Sequence, residues 1–267
     1  MKKFKILGNA YLFIIMAIMY VPIIYLLVFA FNDGVSMNRF EGFTIDNFKA
    51  LFEDENLMTA VYATIIIAIL ATVISVIIGT FAAISISRLK KGTRDSILFF
   101  NNLPIVNPDV VTALAIFLLF SALPFSKGYV TMLLAHISFC TPYVIINVYP
   151  KLKSLDPNLL EAAQDLGAKP SYALRKVLLP QLKASIFGAA GIAFTMSFDD
   201  YIISSFVKGS TATNISIYLY GAKNALRSGL YPKINALSSI IIFTILLLVV
   251  GKIVIDKFRN NEGEEED

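Results

Sequence analysis

The sequence predicts an all-α membrane protein with six transmembrane helices and both termini in the cytoplasm. Of its 267 residues, 57% are hydrophobic, and the mean hydropathy of +0.70 is far above that of a soluble domain. Only 16% of the residues are charged, and they cluster between apolar segments long enough to cross a bilayer as helices. The net charge of +4 is explained by basic cytoplasmic loops, so we expect no nucleic-acid partner.

The first apolar segment lies within 1–31 and predicts an uncleaved transmembrane helix. It follows a short basic start, but its apolar run of about 25 residues exceeds the roughly 7–15 of a signal peptide. The segment 32–57 is polar and acidic, which predicts an external loop. Within this loop, the apolar residues have the spacing of a small amphipathic helix at the membrane interface: Phe43, Ile45, Phe48, Leu51 and Phe52.

Five further spans form a predicted core membrane domain at 58–255. The span at 58–87 has a small-residue packing face at Gly79 and Ala83. The span at 97–123 is interrupted by Asn and Pro residues between positions 101 and 109. Irregular backbone at membrane depth is tolerated only where it faces protein or a water-filled cavity. We therefore expect this span to line a pathway.

The last three spans are predicted at 129–149, 186–207 and 234–255, and an acidic cytoplasmic tail follows at 256–267. The composition of the tail is typical of a disordered end. The fourth span contains the single histidine and the single cysteine of the chain, His136 and Cys140, which we interpret as packing residues. One residue of each kind excludes an internal disulfide and a metal site built from several His or Cys ligands.

The distribution of Lys and Arg predicts the orientation. Sixteen of the 23 basic residues lie at the N-terminus, in the loops 88–94 and 151–184, and around the end of the sixth span. The remaining seven lie on the opposite side. Because basic loops stay in the cytoplasm, both termini and the loop 151–184 are predicted to be cytoplasmic. The protein is therefore expected to be a multi-pass component of the cytoplasmic membrane, in contact with lipid.

A polar helical elbow is predicted at 156–180, inside the cytoplasmic loop 151–184. Asp156 stands at an N-cap position before Pro157, and Gly167 stands where a left-handed residue ends a helix. A second short helix is predicted to follow Ser171 and to stop at Pro180. The elbow is not a membrane span, because five charged side chains would have to be desolvated: Glu161, Asp165, Lys169, Arg175 and Lys176.

The spacing of this elbow resembles the EAA loop of ABC-importer permeases. That pattern reads E-A-A-x3-G-x9-I-x-L-P, and the single departure here is Val177 in place of Ile. The resemblance implies a type I ABC-importer permease architecture in a bacterial cytoplasmic membrane. It also implies that the loop is a coupling helix that docks into a separate ATPase subunit, through the positions that match the motif: Glu161, Ala162, Ala163, Gly167, Leu179 and Pro180.

Nucleotide binding is not expected of this chain. The sequence contains no G-x-x-x-x-G-K-[ST] motif, whose backbone would cradle phosphates. The resemblance implies instead that ATP and Mg²⁺ bind to a dimer of partner ATPase subunits. We expect this chain to bind no cofactor, to hold no metal and to catalyse no reaction of its own.

Two adjacent carboxylates, Asp199 and Asp200, are predicted about 14 residues into the fifth span, about 20 Å deep at 1.5 Å per residue. Carboxylates at this depth are costly unless they are paired or hydrated, so they indicate a functional site. Nearby aromatic rings offer cation–π contacts to an ammonium group. We predict that these residues line a pathway for an organic cation: Phe194, Phe198, Asp199, Asp200 and Tyr201.

Asp109, about 12 residues into the third span, reaches a similar depth and is a further candidate for this pathway. Alternatives remain open for all three carboxylates. One of the adjacent pair is protonated, or is satisfied by a neighbouring helix N-terminus. Asp109 directly follows Pro108, so its role is also explained by stabilising the start of a half-helix through the helix dipole.

Four segments resemble the C-type permease subunit of spermidine/putrescine importers: 108–111 (PDVV), 136–143 (HISFCTPY), 197–207 (SFDDYIISSFV) and 234–237 (INAL). The likeness extends over about 22–237. It implies ATP-driven polyamine import, in which this chain forms half of the translocation pathway. The implied partners are a sister permease, two ATPase subunits and an extracytoplasmic polyamine-binding protein.

Two other functions are compatible with parts of the sequence. The same machine with a different cargo, such as ferric iron or another small solute, keeps the elbow; the carboxylates disfavour an oxyanion. An ion-coupled secondary transporter leaves the elbow unexplained. An intramembrane aspartyl protease needs carboxylates from two spans, whereas Asp199 and Asp200 are adjacent and point about 100° apart on a helix.

Overall fold

The computed structural model describes residues 2–124, 126–221 and 230–264, with side chains at 11–124, 126–221 and 230–254. Within these ranges the chain is almost entirely helical, and the only strand pairing is the isolated bridge between Asn32 and Phe43. The helices are α1 (Lys2–Phe29), α2 (Asp46–Glu53), α3 (Glu55–Ser87), α4 (Lys91–Val106), α5 (Asp109–Ala122), α6 (Tyr129–Ser154), α7 (Leu159–Asp165), α8 (Pro170–Ala173), a π-helical segment (Leu174–Leu178), α9 (Leu179–Asp199), α10 (Ile202–Val207), α11 (Ile215–Gly221) and α12 (Leu230–Glu264).

The described helices include five that are long and apolar enough to cross a membrane. A sixth span is formed if α4 and α5 are counted together, because they pass the same test as a pair bent by 108°. The prediction of an all-α membrane protein with six spans is confirmed in this form. The cytoplasmic position of the termini remains a prediction.

The chain divides into two compact units, the first of which comprises the described parts of Met1–Met58 and Ala222–Asp267. Here α12 packs against α1 and α2. The short helix predicted in the acidic loop forms as α2, with Leu51 buried, but it begins at Asp46, so Phe43 and Ile45 precede it. The turn before α2 is organised around the buried side chain of Asn32. Its amide donates to the carbonyls of Gly34 and Arg39, and its Oδ1 accepts from the N–H of Glu41.

An ion pair joins the loop end to α12 in this unit. Lys233 Nζ lies 2.8 Å from Asp54 Oδ2. Burial raises the pKa of the Asp54 carboxyl, but the hydrogen bonds from Lys233 and from the N–H of Leu57 outweigh it. The pKa of Asp54 therefore lies below its ordinary value, and the pair contributes stability that is lost only as the pH falls through that lowered pKa.

The second unit, Thr59–Gly221, has α6 at its centre. This helix packs most extensively against α9, and also against α4 and α10, while α10 packs on α5. The buried side chains of α6 lie among those of the surrounding helices and include Met132, Phe139, Cys140 and Val144. By contrast, many Ile, Leu and Val side chains on the outer faces of the helices are exposed, as expected for surfaces that meet lipid.

A close contact between α3 and α6 depends on Gly79. A Cβ atom at this position would lie 2.7 Å from the Cβ of Val144 and 3.2 Å from the carbonyl oxygen of Thr141. Ala83, one turn further along α3, is fully buried. The predicted small-residue packing face is therefore present, and the two backbones approach because no side chain stands between them.

Two predictions about the elbow and the fifth span are wrong in their boundaries. The helix that was expected to stop at Pro180 continues, because Pro170–Asp199 forms one helical stretch of 30 residues. The π-helical segment explains how Pro180 is accommodated: the N–H of Leu179 donates to the carbonyl of Leu174, which widens the turn where proline provides no N–H. At the other end, the span predicted at 186–207 is broken, since α9 ends at Asp199 and α10 begins at Ile202.

The predicted disorder of the tail is also wrong over part of its length. Helix α12 runs to Glu264, so 256–264 are helical. The segment contains no proline and several good helix formers, which allows the sixth span to extend beyond its apolar part. Residues 265–267 lie outside the described residues.

We predict that Gly79→Val destabilises the α3–α6 contact by about 1–3 kcal/mol, because the added methyl groups overpack against Val144. The measurement is thermal unfolding of the chain purified in detergent. Gly191→Val is the matched control, since a Cβ at Gly191 meets nothing within 4 Å. Equal unfolding temperatures for the two variants would contradict the prediction.

Candidate functional site

The break in the fifth span is capped by a carboxylate. Asp200 has extended backbone geometry, with φ −67° and ψ 125°, which ends α9. Its Oδ1 accepts from the N–H of Ile203 at 3.1 Å, and its Oδ2 accepts from the N–H of Ser204 at 2.7 Å. Asp200 is therefore the capping residue of α10, and two N–H groups that a broken helix leaves unpaired are satisfied.

A buried histidine on α6 lies beside this cap. His136 Nδ1 is 2.6 Å from Ser197 Oγ, and its Nε2 is 2.9 Å from Ser204 Oγ. The same Nε2 lies 3.5 Å from Asp200 Oδ2. The side-chain amide of Asn214 donates to the backbone carbonyl of Asp200 and to Ser204 Oγ, both at 3.0 Å. We name these five residues the polar cluster: His136, Ser197, Asp200, Ser204 and Asn214.

The three predicted pathway carboxylates come together at one cavity of about 620 Å³. Asp109, Asp199 and Asp200 all line it, and the described lining contains no Lys or Arg. The carboxylates come from two different broken helices, because Asp109 is the first residue of α5 and the other two flank the end of α9. The cavity therefore presents negative charge to anything that enters it.

The three carboxylates differ in how they are satisfied. The side chain of Asp200 is only 10% exposed and accepts two backbone N–H groups. Asp109 and Asp199 are exposed, and neither carboxylate has a hydrogen-bond or ion-pair partner among the described residues. Asp109 also lies in the first turn of α5, where the helix dipole favours a negative charge, so its position is compatible with both alternatives, and its pathway role remains a prediction.

The aromatic lining differs from the prediction at two positions. Phe194 and Phe198 stack on each other, with ring centroids 5.6 Å apart, and neither lines the cavity. Tyr201 does line it, and its ring stacks on Tyr220 at 4.2 Å. Three other aromatic residues line the cavity and were not among the predicted residues: Phe139 and Tyr143 from α6, and Tyr220 from α11. On α9 the cavity is lined by Thr195, Met196 and Asp199, and the two phenylalanines lie on a neighbouring face of the same helix.

The polar cluster also escaped the sequence analysis in part. Cys140 is a buried packing residue, as predicted. His136 is equally buried and does not line the cavity, as expected of a packing residue, but it also has a polar partner on each ring nitrogen, which the prediction did not include. The signal in the sequence was the presence of a lone histidine in an apolar span, but its partners lie 61 and 68 residues away.

The elbow forms as predicted around Gly167. This residue has φ +86°, in the left-handed region, and it ends α7 with two hydrogen bonds. The N–H of Ala168 donates to the carbonyl of Ala163 at 3.1 Å, and the N–H of Gly167 donates to the carbonyl of Gln164 at 2.8 Å. At the other end of α7, Asp156 Oδ1 accepts from the N–H of Asn158, although the helix itself begins only at Leu159.

The predicted coupling residues face different sides of the elbow. Ala163 and Gly167 line a groove of about 830 Å³, together with Leu166 and Tyr172, whose side chains are exposed. Leu166 is 90% exposed, which is unusual for a leucine outside the apolar spans.

Glu161 instead lines a separate cavity of about 690 Å³, into which the basic residues Arg88, Arg94 and Lys153 also project. Ala162 is exposed on α7. At the start of α9, Leu179 is half-buried and Pro180 is exposed, and neither lines the groove or this cavity.

Apolar spans, an acidic cavity between broken helices and a polar elbow outside the apolar segments are the features expected of a membrane permease. The family model for the inner membrane component of binding-protein-dependent transport systems matches residues 75–260. The chain belongs to this family, and the predicted location as a multi-pass inner-membrane protein is confirmed. Members of the family are transport components and not enzymes.

Two groups of curated relatives are permease proteins of polyamine transport systems. The chain is 32% identical over 255 residues to the spermidine/putrescine transport system permease protein PotC of Haemophilus influenzae, covering 96% of this chain and 98% of the relative. It is 34% identical over 231 residues to the putrescine transport system permease protein PotI of Escherichia coli, covering 84% and 81%. The resemblance to the C-type permease subunit of spermidine/putrescine importers is confirmed.

The fold is shared with solved importers. A crystal structure of a bacterial ABC transporter that imports the acidic polysaccharide alginate contains a chain with a TM-score of 0.73 and 18% identity, covering 96% of both chains. An alginate transporter in complex with its pentasaccharide-bound periplasmic protein gives a TM-score of 0.62, also at 18% identity, covering 93% of this chain and 92% of that chain. At this identity the likeness establishes the fold alone.

We predict that Asp200→Ala destabilises the protein by about 1–2 kcal/mol, because α10 loses its cap, whereas Asp200→Asn keeps most of the stability. An asparagine side chain still accepts a backbone N–H without carrying charge. Thermal unfolding of the two variants in detergent makes the comparison. Equal losses for alanine and asparagine would mean that the charge, and not the cap, stabilises the break.

Proposed function

We propose that this chain is the permease subunit of an ATP-driven polyamine importer, in which it forms half of the pathway for spermidine and putrescine. The observation that carries the proposal is the acidic, tyrosine-lined cavity at the broken helices. Polyamines are flexible chains with several ammonium groups, and carboxylates and aromatic faces are the groups that bind ammonium. The names of the PotC and PotI relatives support the same substrate class.

Within the cavity, we assign direct contact with the cation to Asp199 and Asp109. Their carboxylates are exposed and have no partner among the described residues, so an ammonium group replaces water without breaking an existing contact. The carboxylate of Asp200 is already committed to the cap of α10. Tyr201 and Tyr220 add an aromatic face beside the carboxylates. Phe194 and Phe198 do not line the cavity, so we expect them to contribute less to cation binding.

The same proposal assigns the elbow to ATPase docking. The exposed Leu166 and the groove around Gly167 offer an apolar surface in a polar segment, which is typical of a protein interface. ATP and Mg²⁺ bind to the partner ATPase dimer. The remaining partners are a sister permease and an extracytoplasmic binding protein that delivers the polyamine.

A single helical stretch connects these two regions. It runs over Pro170–Asp199, starts in the elbow and ends at a pathway carboxylate. Thirty residues at 1.5 Å per residue give about 45 Å, enough to cross the apolar part of a bilayer. A displacement of the elbow by the ATPase therefore moves the end of α9 and the carboxylate of Asp199 with it. This lever is the physical basis that we propose for coupling.

The experiment that tests the substrate is uptake of labelled spermidine and putrescine by vesicles that contain this chain and its partner subunits, with and without internal ATP. ATP-dependent uptake that unlabelled polyamine competes supports the proposal. ATP-dependent assembly without polyamine uptake would show that polyamines are not the substrate, and direct uptake of labelled ferric iron or another small labelled solute would then identify the substrate class. Uptake driven by an ion gradient alone would show that transport is not coupled to ATP hydrolysis.

We predict that Asp199→Asn raises the KM for polyamine uptake by about tenfold, and that Asp199→Asn with Asp109→Asn raises it further, because the ammonium groups lose their counter-charges. Asp95→Asn is the control, since Asp95 is exposed at the start of α4 and lies outside the cavity. Assembly with the ATPase is expected to stay intact. Normal uptake by the double variant would show that the carboxylates of Asp109 and Asp199 do not contribute to the pathway.

We predict that Gly167→Val and Leu166→Asp each abolish co-purification with the ATPase subunit while the chain still inserts in the membrane. A β-branched residue is strained at φ +86°, and a charge at position 166 disrupts an apolar contact. The control is Gly92→Val, because a Cβ at Gly92 meets nothing within 4 Å and its φ is not positive. Retained co-purification in both elbow variants would place the docking surface elsewhere.

A further inference from the structure

The break between α9 and α10 needs support from outside the fifth span. The segment 197–207 is mostly apolar, and its pattern predicts one continuous helix. In such a helix, Asp199 and Asp200 would project about 100° apart and the N–H groups of Ile203 and Ser204 would bond within the helix. The structure instead breaks at Asp200, so other contacts must favour the broken form over the continuous one.

His136 supplies contacts on both sides of this break. Ser197 lies in the last turn of α9 and Ser204 lies in the first turn of α10, and each hydroxyl is paired with a different nitrogen of the same imidazole ring. The ring is 1% exposed and is carried by α6, which runs unbroken past both half-helices. His136 therefore bridges two half-helices from a third, continuous helix.

The bridge is complete in its hydrogen bonding. A neutral imidazole has one N–H donor and one acceptor nitrogen, and a serine hydroxyl pairs with either. Ser204 Oγ also receives the side-chain amide of Asn214, whose second contact is the backbone carbonyl of Asp200. That carbonyl belongs to the residue at the break, where no α-helical partner remains. In a membrane span, an unpaired group at this point would be costly.

The geometry has a direct consequence for the cavity. With the break in place, the carboxylate of Asp200 turns back onto the N–H groups of α10, while Asp199, at the very end of α9, faces the cavity without a partner among the described residues. The two adjacent aspartates are thereby given different roles. In the presence of the polar cluster, the carboxylate of Asp200 caps α10, and the carboxylate of Asp199 is available in the cavity.

We infer that His136 is a positioning residue for cation binding: by joining Ser197 to Ser204 across the break, it holds the carboxylate of Asp199 in the cavity and that of Asp200 in the cap. The inference rests on the proposed role of the cavity in polyamine transport. His136 itself does not line the cavity. Its effect on transport is exerted through the two serines and through its contact with Asp200 Oδ2 at 3.5 Å.

The test compares three substitutions of His136 in the assembled transporter. His136→Leu removes both hydrogen bonds. His136→Gln places an amide near the former Nε2 and keeps a link to Ser204, whereas His136→Asn places one near Nδ1 and keeps a link to Ser197. Cys140→Ala is the matched control, because Cys140 lies one turn further along α6, is equally buried, and forms its hydrogen bond with the Ala193 carbonyl, six residues before the end of α9.

For polyamine uptake, we expect His136→Leu to raise KM by about tenfold, the scale of a lost buried hydrogen bond, with a smaller fall in kcat. His136→Gln is expected to recover most of the loss, because the link to α10 and the cap is retained. His136→Asn is expected to recover less. A fall in kcat with unchanged KM, or equal behaviour of all three variants and the Cys140→Ala control, would overturn the inference.

A second measurement does not depend on polyamine transport. Because Cys140 is the single cysteine of the chain, Cys140→Ala provides a cysteine-free background, and Asp199→Cys then introduces one thiol at the cavity. We expect a cationic methanethiosulfonate reagent to label this thiol, and His136→Leu to slow the labelling by about tenfold as the end of α9 rearranges. His136→Gln is expected to restore the rate.

The two measurements separate the possible failures. If labelling responds to His136→Leu and is restored by His136→Gln, but no polyamine is taken up by the unmodified transporter, then the positioning role stands and the proposed substrate is wrong. If labelling is the same in all variants, while each still inserts and co-purifies with the ATPase, then the positioning role is wrong whatever the substrate.

Discussion

Backbone groups inside a bilayer must find partners within the protein, and this constraint governs how the chain forms its cavity. A carboxylate at membrane depth is costly, and so is a helix that ends there. The structure combines the two, because the carboxylate of Asp200 accepts two N–H groups at the start of α10. The free ends of one half-helix therefore stabilise the charge, and the charge stabilises the break.

The same principle applies at the other broken span. Asp109 is the first residue of α5, directly after the 108° bend from α4, so its charge also lies at a helix N-terminus. Both breaks border one cavity, and each brings a carboxylate to it. Discontinuous helices around a binding site are a general solution in transporters, because they expose backbone dipoles without leaving polar groups in lipid. Here the helix ends stabilise negative charge, which suits a cationic solute.

The elbow and the cavity are connected through the helix that ends at Asp199. The π-helical segment allows the helix to pass Pro180 without ending, so the stretch from Pro170 to Asp199 remains continuous. The Gly167 turn fixes the direction in which α7 meets this stretch, since only glycine adopts φ +86° at little cost. The fold thus provides a stiff element between a cytoplasmic docking surface, as proposed, and the pathway.

Local chemistry was sufficient to predict much of this protein from its sequence. Apolar length determines which segments span the membrane, glycine at position 167 determines the end of α7, and the motif spacing around Glu161 identifies the family. The identity of the three cavity carboxylates also followed, because charge at membrane depth is unfavourable without a function. The motif did not indicate that Glu161 and Gly167 line different surfaces of the elbow.

What only the tertiary structure decided concerns contacts between distant parts of the chain. The break at Asp200 and the partners of His136 depend on the packing of α6 against α9 and α10. Besides Tyr201, the aromatic lining of the cavity comes from Phe139 and Tyr143 on α6 and Tyr220 on α11, and not from Phe194 and Phe198. Periodicity describes one helix at a time and assumes that the helix continues. It cannot register a hydrogen bond to a residue more than sixty positions away, and such bonds determine where this helix ends.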